Sequence, residues 1–283
     1  NWKYDEESVE EWLDNFRISE NAVYPYPYKG QTYILRFAPV REKSSNQLFG
    51  TLEFLEYLHQ HNMHVMRPVR SKRGNIMEHI ITPWGEYYAA SYQRVAGDRI
   101  DQMEYDAKMM YTYGQTLGEL HRLSQNFTPN TVCKSHEDIL RWIETVLYAY
   151  KAPAKAIEEL YIVSHYLNQL NKHYDNYGLI HYDFRMDNLF YDAENECCSI
   201  IDFDDAMYHW YCMDIVNVLD DLQETYSKEL YEKAKDTFLH GYQSIRTLPH
   251  SLFRHQKVFL RFANLYKYTR MFYAISEPEV NET

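Results

Sequence analysis

The residues whose types and spacing could support catalysis lie within residues 178–219. In the segment HYDFRMDN, Asp183 is followed five residues later by Asn188, and a short apolar run then leads to Asp202 in IDFDD. Phosphoryl transfer needs a carboxylate that orients the attacking hydroxyl, and it needs hard oxygen ligands for Mg²⁺. The pattern therefore predicts Asp183 and Asn188 as catalytic residues, with Asn188 and Asp202 as ligands of a magnesium ion.

The alternative interpretation is a pair of polar loops whose side chains only satisfy their own backbone. Each pattern alone is common enough to arise by chance. The two patterns together, in this order and after a helical stretch that ends in LGELH, favour the catalytic interpretation.

A cation for the phosphates is available earlier in the chain. The apolar run TYILRFAP, residues 32–39, reads as a buried strand that carries one charge, Arg36. A buried arginine needs an acidic partner, because an unpaired charge is costly there. The next predicted helix, residues 45–61, offers Glu53 and Glu56. We expect an ion pair between Arg36 and Glu53, whereas Glu56 is expected to face solvent.

The pattern of apolar residues predicts short strands in the first third of the chain and mainly helices thereafter. Expected strands occupy residues 16–24, 32–39, 64–68, 74–82 and 86–94, with more short strands within 178–205. Expected helices occupy residues 8–16, 45–61, 101–123, 135–150, 154–174, 214–225, 229–247 and 252–275. This α+β pattern divides the chain into a small half, residues 1–95, and a larger helical half, residues 96–283. A ligand is expected in the cleft between them.

Composition and charge narrow the class of protein. The chain of 283 residues has 29 basic and 41 acidic side chains, a net charge of −12, which opposes binding to a nucleic-acid backbone. No apolar run reaches the length of a membrane span, and the acidic, amphipathic start is unlike a signal peptide. The cytoplasm is the default expectation, with the four cysteines as reduced thiols.

At these positions the chain resembles the phosphotransferase enzyme family, which includes aminoglycoside phosphotransferases and choline and homoserine-type kinases. The resemblance is carried by HYDFRMDN, IDFDD, Asp214, LGELH, and YILRF ahead of a helix that contains Glu53. It implies a protein-kinase-like bilobal fold, in which a small N-terminal lobe has an antiparallel sheet and one helix, and a larger C-terminal lobe is mainly helical. The implied cofactors are ATP and Mg²⁺.

The resemblance also implies roles for single residues. Asp183 matches the catalytic aspartate of the family, and Asn188 and Asp202 match its metal ligands. His181 matches a histidine that supports the catalytic loop, and Asp214 matches an aspartate that braces it.

The implied nucleotide site contains Arg36 with Glu53, and Ser91, Tyr92 and Gln93 at the position where the family binds adenine through backbone groups. Two features depart from the family pattern. Arginine stands at position 36, where most kinases have lysine, and the segment expected to cover the phosphates, residues 18–23, contains no glycine.

The acceptor site is expected just beyond Asp202, where Asp204, Asp205, Tyr208 and Trp210 follow. Carboxylates and aromatic rings can bind an ammonium group by charge and by cation–π contact. The alternative is that the aromatic residues belong to the core. The far wall is expected from residues 135–175 and from the last helix, with Arg261, Tyr266, Tyr268 and Tyr273.

The predicted function is that of an ATP- and Mg²⁺-dependent phosphotransferase. Its acceptor would be a hydroxyl group of an aminoglycoside-like antibiotic, a choline-like metabolite or another amino alcohol, with a positive charge on the acceptor suited to the acidic chain. By the resemblance, the eleven residues between Asp202 and Asp214 are too few for the segment on which protein kinases dock peptides. A protein serine/threonine kinase and a degenerate nucleotide-binding relative remain as alternatives.

Overall fold

The computed structural model describes residues 1–5, 17–18, 22–40, 45–83, 85–248 and 252–276. An antiparallel sheet occupies the N-terminal region and helices dominate the C-terminal region, which confirms the predicted fold class. The helix expected at residues 8–16 lies outside the described residues. None of the helices in the described ranges is long and apolar enough to cross a membrane.

Among the residues that the structure describes, six strands form the N-terminal sheet. They are β1 (Arg17–Ile18), β2 (Ala22–Tyr28), β3 (Gln31–Pro39), β4 (Arg67–Val69), β5 (Glu78–Thr82) and β6 (Gly85–Gln93). Their order is β1-β2-β3-β6-β4, and β5 also pairs with β6. One side of β6 thus pairs with β3, and the other is shared by β4 and β5.

The β2–β3 hairpin turns at Lys29 and Gly30, which have φ angles of 52° and 71°. Two central residues with positive φ match the right-handed twist of the strands, and glycine adopts this conformation without strain. Pro25 and Pro27 precede this turn and belong to β2. Within the described residues β1 pairs only with Ala22 and Val23, so the outer edge of β2 tolerates the prolines that follow.

Helix α1 (Ser45–Gln60) packs on this sheet and also reaches the C-terminal region. The ring of Phe54 lies 4.9 Å from that of Phe127 and 5.9 Å from that of Phe203, centroid to centroid. The Tyr57 hydroxyl donates to the carbonyl of Leu123 at 3.0 Å. The buried face of α1 therefore joins the two regions.

Six further helices are described in the C-terminal region, within residues 107–276. They are α2 (Ala107–Ser124), α3 (His136–Ala149), α4 (Ala154–Asn168), α5 (Cys212–Thr225), α6 (Lys228–Ile245) and α7 (Leu252–Ser276). Ser135 and Asp138 form a capping box at the start of α3. The helix expected from residue 101 begins only at Ala107, because a short 3₁₀ turn precedes it and Asp106 caps it.

Two small antiparallel sheets carry the polar loops. Strands β10 (Cys197–Ile200), β9 (Leu189–Asp192) and β7 (Asp98–Arg99) form one, and β11 (Met207–Trp210) pairs with β8 (Tyr177–Ile180) in the other. The backbone of Ile200 also bonds to His64 and Met66, both N···O distances being 3.0 Å. The strand that leads to Asp202 is thereby fixed to the N-terminal region. The division at residues 95 and 96 stays a prediction.

Helices α2 and α6 approach so closely that their backbones touch. A Cβ atom added to Gly114 would lie 2.0 Å from the carbonyl oxygen of Phe238, and one added to Gly241 would lie 2.0 Å from that of Tyr111. At Gly118 the nearest atom would be 3.0 Å away, the Cβ of Ile245. Glycine at 114 and 241 is therefore a packing requirement.

We expect Gly114→Ala to lower the free energy of unfolding by about 2 kcal/mol or more, since the helices must separate to admit the methyl group. Gly118→Ala is the matched control, because its looser contact is offset by the gain of about 1 kcal/mol that alanine brings to a helix. Urea denaturation followed by circular dichroism measures both. Equal stability of the two variants would contradict the tight packing at Gly114.

Candidate active site

The loop between β8 and β9 brings Asp183 and Asn188 together. The Asn188 side-chain nitrogen donates to the Asp183 carboxylate at 2.8 Å and to the Asp183 backbone carbonyl at 2.9 Å. A 3₁₀ turn at Met186–Asn188 folds the chain back across these residues. Because the amide nitrogen faces Asp183, the amide oxygen of Asn188 is turned away from that carboxylate. That oxygen is therefore available as a metal ligand.

The electrostatic setting of Asp183 is unusual for an aspartate. Burial raises the pKa of its carboxyl group to about 6, and the carboxylates of Asp205, Asp187 and Asp202 contribute in the same direction, whereas His181 lowers it. Acids with raised pKa values are concentrated at functional sites, where they serve as proton acceptors near neutral pH.

Asp214, at the start of α5, braces this loop. Its carboxylate accepts the backbone N–H groups of His181 at 3.0 Å and Tyr182 at 2.7 Å. His121 Nε2 donates to the same carboxylate at 3.1 Å, and His121 Nδ1 accepts from the Tyr242 hydroxyl at 3.0 Å. Burial lowers the pKa of His121, which keeps the imidazole neutral and suits this donor and acceptor pattern. His121 is thus a packed helix residue.

Asp202 follows β10 in a strained conformation, with φ 60° and ψ 66°. A non-glycine residue rarely adopts this left-handed region, and such strain is typical of functional sites. His181 connects the two loops, because its Nε2 donates to the carbonyl of Ile201 at 2.9 Å. The backbone N–H of Ile201 in turn donates to the carbonyl of Asn188 at 3.0 Å.

The donor set suits a magnesium ion that shares its coordination with nucleotide phosphates. Asp202 is 39% exposed at its side chain, and Asn188 offers an amide oxygen. In the part of the chain that the structure describes, no three His, Cys, Asp or Glu side chains form a metal-binding group by themselves. The remaining ligands would come from phosphate and water.

The predicted ion pair between Arg36 and Glu53 is wrong. Arg36 Nη2 instead lies 2.8 Å from Asp204 and 3.1 Å from Asp202. Glu53 accepts from Asn130 and Thr131, including the Thr131 hydroxyl at 2.7 Å. The face of α1 that carries Glu53 is directed to this segment, and a role for Glu53 at the nucleotide stays a prediction.

Arg36 lines a small cleft between β3, β6 and α1, together with Tyr92 and Asp204. Tyr92 is buried in this cleft, and Ser91 is fully buried on β6, bonded to the Tyr26 hydroxyl at 2.7 Å. Residues 91–93 pair with both β3 and β4, and the N–H of Arg94 donates to Thr32. This pairing on both sides involves the same stretch of backbone that was expected to bind adenine. Adenine binding by Ser91, Tyr92 and Gln93 stays a prediction.

Asp205 lies on the opposite side of the turn from Arg36. It accepts from Lys134 at 3.4 Å, from the Tyr266 hydroxyl at 3.2 Å and from Arg270 at 2.8 Å. Both acids predicted to bind a cationic acceptor, Asp204 and Asp205, thus have cationic partners inside the protein.

The two aromatic residues predicted with them take different positions. Trp210 is only 4% exposed, and its indole packs against His136, Tyr177 and Phe259. The structure therefore supports the alternative, a core role, for Trp210. Tyr208 is half-buried and stacks on Tyr177, with 6.4 Å between ring centroids.

An aromatic wall continues from the loop that carries Asp183 to α3 and α7. The ring of Tyr182 lies 5.6 Å from that of Tyr266, which in turn lies 5.8 Å from Trp142. The ring centroids of Tyr273 and Trp142 lie 6.1 Å apart. Of the other wall residues expected from sequence, Arg261 pairs with Glu159 and Tyr268 stacks on Phe272.

Sequence reasoning missed three residues of this site: Lys134, Trp142 and Arg270. Lys134 and Arg270 lie 71 and 65 positions from the Asp205 that they contact. No local spacing connects these two cations to Asp205. The signal in the sequence was the excess of acids after Asp202, which need cationic partners. Residues 19–21, within the predicted phosphate-covering segment, lie outside the described residues.

Comparisons with known proteins agree with this geometry. The sequence profile of the phosphotransferase enzyme family matches residues 19–248. Amicoumacin kinase from Bacillus subtilis (strain 168) is 27% identical over 200 residues, which cover 70% of this chain and 59% of that protein. The uncharacterized protein sll1119 from Synechocystis sp. is 24% identical over 80% of this chain and 63% of its own length. This chain thus spans about three fifths of these relatives.

Solved structures share the fold. Amicoumacin kinase hAmiN, in complex with AMP-PNP, Ca²⁺ and Ami, superposes with a TM-score of 0.83 at 23% identity, over 99% of this chain and 85% of that one. A microcompartment-associated aminopropanol kinase gives a TM-score of 0.63 at 19% identity, over 96% and 95% of the two chains. Because the matching profile covers most of the sequence, the chain belongs to the phosphotransferase enzyme family.

Proposed function

We propose that this chain is an ATP- and Mg²⁺-dependent phosphotransferase that moves the γ-phosphate of ATP to a hydroxyl group of a small molecule. The observation that carries the proposal is the joining of three segments at one place. Asn188 bonds to Asp183 within the catalytic loop, His181 bonds that loop to Ile201, and Arg36 from β3 bonds to Asp202.

Each residue then has a defined task. Asp183 accepts the hydrogen bond of the acceptor hydroxyl and orients its oxygen toward the phosphorus. Asn188 and Asp202 hold Mg²⁺, which neutralises charge on the phosphates when bound. Arg36 contacts the phosphates with a guanidinium that stays charged, because the Asp204 and Asp202 carboxylates more than offset the effect of burial and raise its pKa.

The acceptor class is proposed from two considerations. The named relatives include an amicoumacin kinase and an aminopropanol kinase, and an aminoglycoside phosphotransferase from Streptomyces rimosus in complex with ADP and streptomycin shares the fold with a TM-score of 0.64 at 12% identity. In this chain, the aromatic wall of Trp142, Tyr266 and Tyr273 continues from the loop of Asp183, and aromatic rings are the side chains that bind an ammonium group by cation–π contact.

The pairing of Asp204 and Asp205 with Arg36, Lys134 and Arg270 reduces the net negative charge beyond the metal site. A cationic acceptor would therefore depend on the aromatic wall and on Asp183 more than on these two acids. We propose an amino alcohol or an antibiotic that contains one as the acceptor. A cytoplasmic location is part of the same proposal.

The test is a screen for acceptor-dependent ADP release. Purified protein with ATP and Mg²⁺ is offered amicoumacin, 1-amino-2-propanol, streptomycin, other aminoglycosides and choline, and the phosphorylated product is identified by mass spectrometry. We expect turnover with at least one member. Incorporation of labelled phosphate into proteins of a cell extract, with none into these compounds, would instead support a protein kinase.

A further inference from the structure

Arg36 is the buried cation on which the nucleotide site depends, and its partner differs from the one that its position suggested. Its side chain is 14% exposed, so the guanidinium needs an acidic partner at close range. The expected source of this acidic partner was α1, which packs on the same sheet. The described contacts place two carboxylates of the metal-binding turn at this guanidinium instead.

Glu53 is committed to another task. Its two carboxylate oxygens accept four hydrogen bonds, at 2.7–3.2 Å, all from Asn130 and Thr131. These bonds join α1 to the segment that leads into α3. A carboxylate has about four lone-pair sites, so Glu53 is saturated where it stands.

Asp204 is held rigidly in the position from which it contacts Arg36. It lies in the 3₁₀ turn Phe203–Asp205, and Phe203 is buried between Phe54 and His181. The backbone carbonyl of Asp204 accepts from Lys134 at 3.2 Å. The carboxylate is therefore preorganised for a charge-assisted hydrogen bond at 2.8 Å.

A conflict arises because Arg36 Nη2 also contacts Asp202, the proposed metal ligand, at 3.1 Å. A guanidinium and a divalent cation on the same carboxylate repel each other and compete for its oxygens. If Arg36 had Asp202 as its only acid, metal binding would have to break that pair and leave the buried arginine without an acidic partner. Asp204 provides the arginine with a second acid, two residues further along the chain.

We propose that Asp204 is the positioning residue for Arg36, in place of Glu53, and that it keeps Asp202 available to the metal. The acids after β10 then divide into three tasks. Asp202 binds the metal, Asp204 holds the phosphate-binding arginine, and Asp205 joins the turn to α7 through Arg270 and Tyr266. This inference rests on the proposed function, since it concerns nucleotide and metal binding at the same site.

The experiment measures nucleotide binding, not turnover. The dissociation constant for ADP is determined by calorimetry in EDTA and again in saturating Mg²⁺, and their ratio reports the gain that the metal provides through Asp202. Of the two carboxylates at Arg36, the variant Asp204→Asn keeps only that of Asp202. We expect the gain to fall by about tenfold, within the range seen when residues behind a metal ligand are altered.

The double variant Arg36→Met/Asp204→Asn distinguishes positioning from structural damage. Without the arginine, Asp202 is free for the metal, so the Mg²⁺-dependent gain should return even though absolute affinity is low. Glu56→Gln is the matched control, because it removes one negative charge from the exposed face of α1 and should leave the gain unchanged.

The proposal is overturned if Asp204→Asn keeps the wild-type gain in ADP affinity from Mg²⁺, or if the double variant does not recover that gain. It is also overturned if Glu53→Gln loses as much of the gain as Asp204→Asn, because the positioning role would then belong to α1. Failure of the wild-type protein to bind ADP under either condition is a different result. It would overturn the proposed function, and this inference with it.

Discussion

Replacement of Asp183 by asparagine should lower kcat for the transfer to a small-molecule acceptor by about 10²–10⁴-fold, the range typical of a lost acid–base group. The variant keeps the size of the side chain, and its amide oxygen can still accept from Asn188. It cannot accept a proton from the attacking hydroxyl. The loss should therefore appear in kcat, while the affinity for ADP changes by less than about threefold.

The measurement is steady-state ADP release with the best acceptor of the screen, combined with calorimetric binding of ADP. Asp187→Asn is the matched control, since Asp187 is an exposed aspartate of the same loop and the substitution removes the same charge. We expect its kcat to stay within about threefold of wild type. Comparable kcat values for Asp183→Asn and Asp187→Asn would mean that Asp183 is not the catalytic carboxylate.

The pairing of Asp183 with Asn188 could be predicted because it is local. Five residues separate them, and one 3₁₀ turn is enough to fold the second side chain onto the first. The same holds for the capping box at Ser135 and for the overall division into strands and helices. Short-range spacing and apolar periodicity determine these features, and both are visible in the sequence.

The partner of Arg36 could not be predicted in this way. Glu53 and Asp204 are both acids that follow β3 in the chain, and the choice between them depends on how α1 is rotated about its axis. That rotation is set by Phe54 against Phe127 and Phe203 and by the bond of Tyr57 to Leu123, contacts that span 66–149 positions of sequence. The spacing of residues along α1 contains no information about it.

Trp210 illustrates a second limit. Aromatic residues after a metal ligand can line an acceptor site or fill a core, and the sequence favours neither strongly. In β11, Met207, His209 and Trp210 are all buried, so the strict alternation of a half-exposed strand is absent. Helix α3 supplies His136 and α7 supplies Phe259 around Trp210, and neither contact has a signal within β11 itself.

The second large effect is expected at Asp214, whose substitution by asparagine should lower the free energy of unfolding by about 2–4 kcal/mol. The carboxylate is fully buried and accepts from the backbone of His181, the backbone of Tyr182 and the ring of His121. An asparagine of the same shape must direct its NH₂ group at one of these donors. Two donors then face each other without water.

Asp220→Asn, on the same helix α5, is the matched control for charge and location. Burial raises the pKa of the Asp220 carboxyl, so a neutral side chain is favoured there, and we expect a change of less than about 0.5 kcal/mol. Urea denaturation at neutral pH measures both variants. If Asp214→Asn were as stable as Asp220→Asn, the three hydrogen bonds at Asp214 would not brace the loop.

The brace also predicts a kinetic effect that is separable from stability. Asp183 follows directly on the two residues whose N–H groups Asp214 holds, so a loosened loop misplaces the proposed catalytic carboxylate, while Arg36 and Asp204 are held from other segments. At a temperature where circular dichroism shows Asp214→Asn fully folded, kcat should therefore fall by about 10-fold or more, since small displacements of a catalytic group are costly. The affinity for ADP in EDTA should stay near that of the wild type. A loss of ADP affinity in proportion to kcat would instead mean that Asp214 supports the whole cleft and not the catalytic loop in particular.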